Sequence, residues 1–206
     1  IIFSSSCTVY GQPDVLPATE ETPIKKAESP YGNTKQINEE IIADTIKSGS
    51  PIKAILLRYF NPIGAHPTAF IGEMPNGVPQ NLIPYLTQTA MGIRKELSVF
   101  GDDYDTPDGS CIRDYIYVVD LAKAHVCAMT RIMEDQTTEP VEVYNIGTGT
   151  GTSVLELINA FEKATGVKLN YKIVGRRAGD IEKVWATWTK PTKCWVGKPR
   201  PHWRTC

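Results

Sequence analysis

The hydrophobic positions of this chain fall into short continuous runs that are each followed by polar residues. The first run, residues 1–3, leads into three serines, and a second occupies residues 52–61 (IKAILLRYFN). Runs of this kind are typical of strands covered on both faces, as in a parallel sheet. Further short strands are predicted within the stretches LSVFG, RDYIYV, EVYNI and KLNYKIV, and the last of these is expected to be the final strand.

Between these strands the apolar residues recur every three or four positions, which predicts helices. One helix should begin after Ser29, a favourable N-cap, with Pro30 in its first turn, and should end at Gly49. Its apolar positions are Ile37, Ile41, Ile42 and Ile46. Further helices are predicted in NLIPYLTQTAMGI, in VVDLAKAHVCAMTRIM with Asp120 near its start, and in VLELINAFEKATG. Strands that alternate with helices indicate an α/β fold with a largely parallel sheet.

Composition narrows the class of protein. The net charge of −1 argues against nucleic-acid and membrane-surface partners, and no apolar run reaches the roughly 18 residues that a bilayer requires. The five cysteines are scattered without CxxC spacing, which predicts reduced thiols, a cytoplasmic location and no zinc site. The aspartates at 102, 103, 105 and 108 lack the closing glutamate of a calcium loop, so we expect a solvated loop there and no metal.

The start of the chain has no methionine, and its first residues have the pattern of the end of a buried strand. We therefore expect that an N-terminal portion is missing.

Tyr31 and Lys35 are candidates for proton-transfer chemistry. Residues four apart on a helix lie on the same face, and an ammonium beside a phenol lowers its pKa towards the range of a useful base. Ser4, Ser5 and Ser6 end the first predicted strand and could share a substrate hydroxyl with the phenol. The simpler alternatives are a surface pair for Tyr31 and Lys35 and turn residues for the serines.

A resemblance to a known family joins these features. The motifs FSSSCTVYG, SPYGNTK, LLRYFNPIGAHP, GVPQNLIPY, YNIGTGTGTSVLELI and RRAGD, in this order, closely resemble the UDP-glucose 4-epimerase family of the extended short-chain dehydrogenase/reductase superfamily. The likeness implies the C-terminal part of a Rossmann-type doubly wound parallel sheet with a smaller α/β substrate-binding domain. Residues 1–62 would complete the NAD-binding domain, and residues 63–186 would mainly bind the sugar nucleotide, with some segments returning to the first domain. Residues 187–206 would be an atypical disordered tail.

The same resemblance implies the chemistry and the roles of particular residues. Bound NAD takes hydride from carbon 4 of the hexose and returns it to the other face, which interconverts UDP-glucose and UDP-galactose. Tyr31 would be the general base and acid, Lys35 would lower its pKa and hold the nicotinamide ribose, and Ser6 would bridge to the 4-hydroxyl. The residues expected at the cofactor are Ser4, Ser6, Tyr31, Lys35, Tyr59 and Phe60. The residues expected at the UDP-hexose substrate are Ser6, Cys7, Thr8, Asn61, Asn81, Leu82, Ser98, Phe100, Arg113, Arg177 and Asp180.

Several alternatives stay open at this level. The loop IGTGTGTS resembles a dinucleotide-binding loop, but Thr152 stands where its third glycine belongs, so we interpret it as a substrate-domain turn. The chain could belong to another sugar-nucleotide epimerase or dehydratase, or act as an inactive UDP-binding fragment. We expect the chain alone to bind NAD weakly and to turn over nothing measurable. The resemblance also implies a homodimer built partly on the tyrosine-bearing helix.

Overall fold

The computed structural model describes residues 1–187 and has an α/β architecture. The helices are α1 (Pro30–Lys47), α2 (Leu82–Ala90), α3 (Val118–Met133) and α4 (Val154–Thr165). The strands are β1 (Ile2–Ser6), β2 (Ala54–Tyr59), β3 (Asn61–Ile63), β4 (Leu97–Phe100), β5 (Ile112–Tyr117), β6 (Val141–Ile146), β7 (Gly151–Ser153), β8 (Tyr171–Val174) and β9 (Lys183–Val184). The predicted tail lies outside the described residues apart from Thr187, whose N–H donates to the carbonyl of Ala18.

The main sheet has the parallel order β1-β2-β6. Its register places Ser6 beside Tyr59 and Tyr59 beside Ile146, so the carboxyl ends of all three strands meet at one edge. Helix α3 covers one face through a buried cluster that includes Ile55, Leu57 and Leu121. The continuous apolar runs therefore mark covered parallel strands, as predicted.

Two smaller sheets complete the fold. Strand β5 pairs in parallel with β3 and β9 and antiparallel with β7, and β4 pairs in parallel with β8. Helices α2 and α4 meet β4 in a second buried cluster of Leu86, Leu97, Val99, Ile158 and Leu169. The predicted final strand is not the last, because β9 follows it. Only two residues long, β9 has no apolar run of its own and is held by β5.

Helix α1 has the predicted ends, and two of its apolar positions are exposed. The Ser29 hydroxyl accepts the N–H of Gly32, Pro30 is the first residue, and Gly49 lies just beyond the end with φ of 101°. Ile37 and Ile41 are 44% and 57% exposed, whereas Glu39 is only 5% exposed. The helix is therefore anchored to the sheet through a charged residue rather than through its isoleucines.

Candidate functional site

The serines at the end of β1 form one side of the site. The Ser6 hydroxyl accepts the N–H of Thr8 and so caps a short 3₁₀ helix, Cys7–Tyr10. The Ser4 hydroxyl lies 2.9 Å from Nε2 of His125, and the Ser5 hydroxyl donates to the carboxylate of Glu39. Each serine thus has a different partner, and Ser6 faces the start of α1.

Tyr31 lies in the first turn of α1, half exposed, beside Ser6. Burial of the phenol raises its pKa above the ordinary value of 10.0, and the nearby Tyr59 acts in the same direction. A hydrogen bond between the side chains of Tyr31 and Ser6 opposes this rise without reversing it. The structure therefore brings Tyr31 and Ser6 together, as predicted, with the phenol protonated at neutral pH.

Lys35 lies one turn further along the same face of α1. Its ammonium donates to the carbonyl of Ser4 at 2.8 Å and lies 5.4 Å from the centroid of the Tyr31 ring and 5.2 Å from that of Phe3. Lys35 is not among the groups that shift the pKa of Tyr31 here, so the lowering of that pKa by Lys35 stays a prediction. The Lys35 ammonium lies against the Tyr31 ring and donates to the Ser4 carbonyl. Desolvation of the phenol therefore determines the direction in which the pKa of Tyr31 shifts.

His125 is a neighbour of this group that sequence reasoning missed. Its Nδ1 lies 2.9 Å from the carbonyl of Leu121, which can only accept, so Nδ1 carries the proton. In the neutral ring Nε2 then accepts from the Ser4 hydroxyl. The Tyr59 ring lies 6.3 Å from the His125 ring, centroid to centroid. The helical pattern around His125 did not predict this contact, because the contact depends on how α3 packs against β1.

A cavity of about 360 Å³ lies against β4 and β5. It gathers eight of the residues predicted at the substrate, from five separate segments: Asn61, Asn81, Leu82, Ser98, Phe100, Arg113, Arg177 and Asp180. Sequence reasoning missed Gln80, Tyr85, Cys111 and Tyr115, which also line it. The described lining mixes polar and apolar residues, and its charged residues lie together on one side of the cavity.

The charged side of the cavity consists of Arg113, Arg177 and Asp180. Arg177 donates from Nη2 to the Asp180 carboxylate at 2.7 Å, and its guanidinium carbon lies 5.4 Å from the centroid of the Phe100 ring. Nη2 of Arg113 is 3.9 Å from the same carboxylate, while its Nη1 donates to the carbonyl of Ile112 at 2.9 Å. Two guanidinium groups thus share one carboxylate.

The remaining predicted residues are not part of the cavity lining. Phe60 and Cys7 belong to a buried core cluster and are 3% and 5% exposed. Burial raises the pKa of the Cys7 thiol to about 12, although the charge of Arg113 opposes it. Cys7 therefore lies between the Tyr31 group and the arginine side of the cavity. The Thr8 hydroxyl oxygen is buried and has no hydrogen-bond partner among residues 1–187.

The loop IGTGTGTS binds a carboxylate of the chain itself. The N–H groups of Thr148 and Gly149 donate to Asp114 at 2.8 and 3.0 Å, and that of Ala186 donates at 3.2 Å. Asp114 is fully buried, which raises the pKa of its carboxyl group, while these hydrogen bonds oppose the rise. The loop amides are thereby occupied within the protein, in agreement with its interpretation as a turn rather than a phosphate-binding loop.

The acidic loop after β4 makes ion pairs and hydrogen bonds with neighbouring residues. Asp103 pairs with Arg176, Asp105 with Lys183, and the Asp108 carboxylate accepts from Ser153. Within residues 1–187 no group of three or more histidine, cysteine, aspartate or glutamate side chains is arranged to hold a metal ion. None of the four described helices is both long enough and apolar enough to cross a membrane.

Comparison with known proteins agrees with this fold. The family model of the NAD dependent epimerase/dehydratase family matches residues 1–147. UDP-glucose 4-epimerase 2 of Arabidopsis thaliana is 55% identical over 190 residues, which cover 92% of this chain and 53% of the relative. The human UDP-glucose 4-epimerase is 50% identical over 186 residues, covering 90% of this chain and 53% of the relative. The crystal structure of UDP-glucose 4-epimerase from Bifidobacterium longum in complex with NAD+ and UDP superposes with a TM-score of 0.92 at 50% identity, covering 99% of this chain and 60% of that one.

The fold and the site together define an α/β protein with a Rossmann-type parallel sheet. The chain belongs to the NAD dependent epimerase/dehydratase family, and its resemblance to the UDP-glucose 4-epimerases is confirmed. It spans about half the length of the curated relatives it matches.

Proposed function

We propose that this chain carries the catalytic and sugar-nucleotide-binding parts of a UDP-glucose 4-epimerase, which interconverts UDP-glucose and UDP-galactose with NAD. In this proposal residues 1–62 belong to the cofactor domain and residues 63–186 mainly to the sugar-nucleotide domain. The observation that carries it is the grouping of Tyr31, Ser6 and Lys35 at the carboxyl edge of the main sheet. The UDP-glucose 4-epimerases that are 50–55% identical to this chain support the proposal.

Tyr31 is proposed to remove the proton of the sugar 4-hydroxyl and to return it after the sugar has turned over. Ser6, whose side chain lies beside the phenol, would orient that hydroxyl between them. A phenol whose pKa is raised is a poor base, so a positive charge has to approach it before it can act. Lys35 supplies that charge if its ammonium turns from the carbonyl of Ser4 towards the phenol oxygen. This movement requires rotation of the Lys35 side chain only, while α1 stays in place.

NAD fits the described residues at its nicotinamide end. The exposed side of Tyr31, the Lys35 ammonium, Ser4 and the half-buried Tyr59 line the sheet edge where a nicotinamide ribose would bind, while Phe60 contributes from the core behind them. The chemistry that NAD supplies there is reversible acceptance of a hydride from carbon 4. The described glycine loop is committed to Asp114, so these residues supply no cradle for the pyrophosphate. We therefore expect weak NAD binding by the chain alone.

UDP is proposed to occupy the cavity, whose volume of about 360 Å³ is within the usual range for ligand sites of roughly 300–1,000 Å³. Arg113 and Arg177 would hold the diphosphate, since planar guanidinium groups match phosphate oxygens. Phe100 and Ser98 would frame the uracil, and Asn81 and Leu82 would close over the phosphates. Asn61 would contact the diphosphate and sugar side, and Asp180 would meet the ribose. The unpartnered hydroxyl of Thr8 supports a sugar beside Ser6 and Cys7, because a buried hydroxyl without a partner is costly.

The first experiment titrates the purified chain with UDP and with NAD separately, by calorimetry. UDP binding with weak or no NAD binding is expected, and no epimerase turnover. Binding of UDP without turnover is also the second candidate function of this chain by itself, which the commitment of the glycine loop to Asp114 favours. A chain that binds no UDP would contradict the proposal.

The second experiment restores a cofactor domain. The chain is joined behind the residues that precede the matched segment in the Bifidobacterium longum relative, and epimerase activity is measured. Tyr31→Phe in this fusion should lower kcat by at least about a hundredfold, the typical contribution of a general acid–base group. Tyr171→Phe, a partly exposed tyrosine on β8, is the control and should leave kcat unchanged. A Tyr31→Phe fusion of near-normal activity would refute the assignment.

We also propose a homodimer formed through α1 and a cytoplasmic location. Ile37 and Ile41 leave an apolar surface on α1 that the described residues do not cover. Among the described residues, Cys7 and Cys111 are free thiols, which suits a reducing compartment.

A further inference from the structure

Ser4 is held by two helices at once. Its carbonyl accepts the Lys35 ammonium of α1 at 2.8 Å, and its hydroxyl oxygen lies 2.9 Å from Nε2 of His125 on α3. Successive side chains of a strand face opposite sides of the sheet, and the next residue, Ser5, donates to Glu39 of α1. The Ser4 side chain therefore faces α3, and His125 contacts it from the side of the sheet opposite to α1.

The hydrogen bond between Ser4 and His125 has one possible direction when the ring is neutral. The Leu121 carbonyl, 2.9 Å from Nδ1, can only accept, so Nδ1 carries the ring proton and Nε2 has a lone pair. The Ser4 hydroxyl thus donates its single proton to His125. The Ser4 oxygen has only lone pairs left, so towards a ligand this hydroxyl acts as an acceptor.

The ring of Tyr59 is the second neighbour of His125. The two ring centroids are 6.3 Å apart and the ring planes are inclined by 51°, a usual geometry for an aromatic pair. Tyr59 lies beside Ser6 in the register of β1 and β2, and its phenol is close enough to Tyr31 to raise the pKa of Tyr31. His125 therefore supports two residues that the proposed function places at the nicotinamide ribose, Ser4 and Tyr59.

We propose that His125 is a positioning residue for the cofactor, which fixes the Ser4 hydroxyl as an acceptor and holds the Tyr59 ring before the nicotinamide ribose binds. A ribose hydroxyl can donate to the Ser4 oxygen, and it meets a group whose rotation is already restricted. Without the imidazole, the Ser4 hydroxyl turns freely and can present its own proton to the ribose instead. The inference rests on the proposed function, because it takes NAD as the ligand at this edge of the sheet.

The first test determines the tautomer of His125 in the purified chain by NMR of nitrogen-labelled histidine, at about pH 8, where an ordinary imidazole is neutral. We expect the proton on Nδ1, and we expect the Nε2 resonance to shift in Ser4→Ala, which removes its donor. A proton on Nε2 would overturn the inference, because Ser4 would then keep its own proton for the ligand. An Nε2 resonance that does not change in Ser4→Ala would also overturn it.

The second test measures NAD affinity by calorimetry in the fusion that restores a cofactor domain. The side-chain amide of glutamine reaches the position of Nε2, whereas that of asparagine is one bond shorter, corresponds to Nδ1 and does not reach Ser4. We expect His125→Asn to weaken NAD binding about threefold to tenfold, the contribution of one hydrogen bond, and His125→Gln to stay within about twofold of wild type. UDP affinity should be unchanged in both variants, because His125, Ser4 and Tyr59 do not line the cavity.

His66→Ala is the matched control. Nδ1 of His66 also lies 2.8 Å from a hydroxyl, that of Thr68, but both residues are in the exposed loop after β3. Its loss should leave NAD affinity unchanged. Thermal melts check that each variant is folded. The tautomer measurement needs no substitution at His125, so it still decides the inference if His125→Asn melts below the assay temperature.

The outcomes separate this inference from the proposed function. Equal NAD affinities in His125→Asn and His125→Gln would overturn the inference, since a role in packing alone does not distinguish the two amides. An effect of His125→Asn no larger than that of His66→Ala would overturn it too. A wild-type fusion that binds NAD but does not interconvert the two sugars instead refutes the proposed function, and the order of NAD affinities still decides the role of His125.

Discussion

The buried ion pair between Glu39 and Arg58 offers the sharpest test of how α1 is held on the sheet. Arg58 donates to Glu39 from Nε at 3.0 Å and from Nη2 at 2.5 Å, and both residues are 5% exposed. Ser5 donates to the same carboxylate, and Arg58 Nη1 donates to Tyr10 at 3.1 Å. Burial disfavours the charged guanidinium, but the hydrogen bonds to Glu39 outweigh it and raise the pKa of Arg58.

Glu39→Ala should therefore be strongly destabilising. It leaves the guanidinium of Arg58 buried with Tyr10 as its remaining side-chain partner, and breaking a buried pair in this way costs about 3–5 kcal/mol. For a chain of this size that corresponds to a fall in Tm of about 6–20 °C. The free energy of unfolding is measured by urea denaturation followed by circular dichroism.

Two further variants make the result decisive. Glu40→Ala, at the adjacent exposed position of α1, removes the same side chain and should cost less than about 0.5 kcal/mol. The double variant Glu39→Met with Arg58→Met should recover most of the stability, because well-packed apolar residues can replace a buried pair at little cost. A loss in Glu39→Ala no larger than that in Glu40→Ala, or a double variant as unstable as the single one, would show that the pair does not anchor the helix.

Two remaining predictions concern acid stability and assembly. The hydrogen bonds from Arg131 overcome the opposing effect of burial and lower the pKa of Glu142 from 4.5 to about 2. Because the folded pKa is the lower one, this stabilisation is complete above pH 4.5 and is lost as the pH falls towards about 2. Glu142→Gln should thus flatten the fall in stability over that window, as measured by urea unfolding, and an unchanged slope would contradict this. Ile41→Asp should convert the proposed dimer into a monomer by sedimentation, and a monomeric wild-type chain would disprove that interface.

Much of the site follows from local sequence. Tyr31 and Lys35 share a face because they are one helical turn apart, and Ser29 and Pro30 fix where that turn begins. The serines lie beside them because the polar residues that end a buried parallel strand lie at the carboxyl edge of the sheet. These features depend on residues near one another in the chain, and they were predictable for that reason.

Other features depended on residues far apart in the chain. The apolar period of α1 did not indicate that Glu39 is buried, because Arg58 on β2 provides a partner that no helical pattern reveals. The sequence already indicated that the glycine loop is a turn, but only the structure showed that its amides bind Asp114, on another strand. Strand β9 could not be predicted either, because it is only two residues long and is held by its pairing with β5.

The sequence by itself determined the order of the four helices and of six of the nine described strands, the capped start of α1 and the spacing that makes Tyr31 a candidate base. The tertiary structure alone decided that Asn61, Ser98, Arg113 and Asp180 line one cavity and that burial raises the pKa of Tyr31. The physical reason is that helix caps and periodicity act through neighbouring residues. Burial, ion pairing and pKa shifts depend instead on which distant groups the fold brings within a few ångströms.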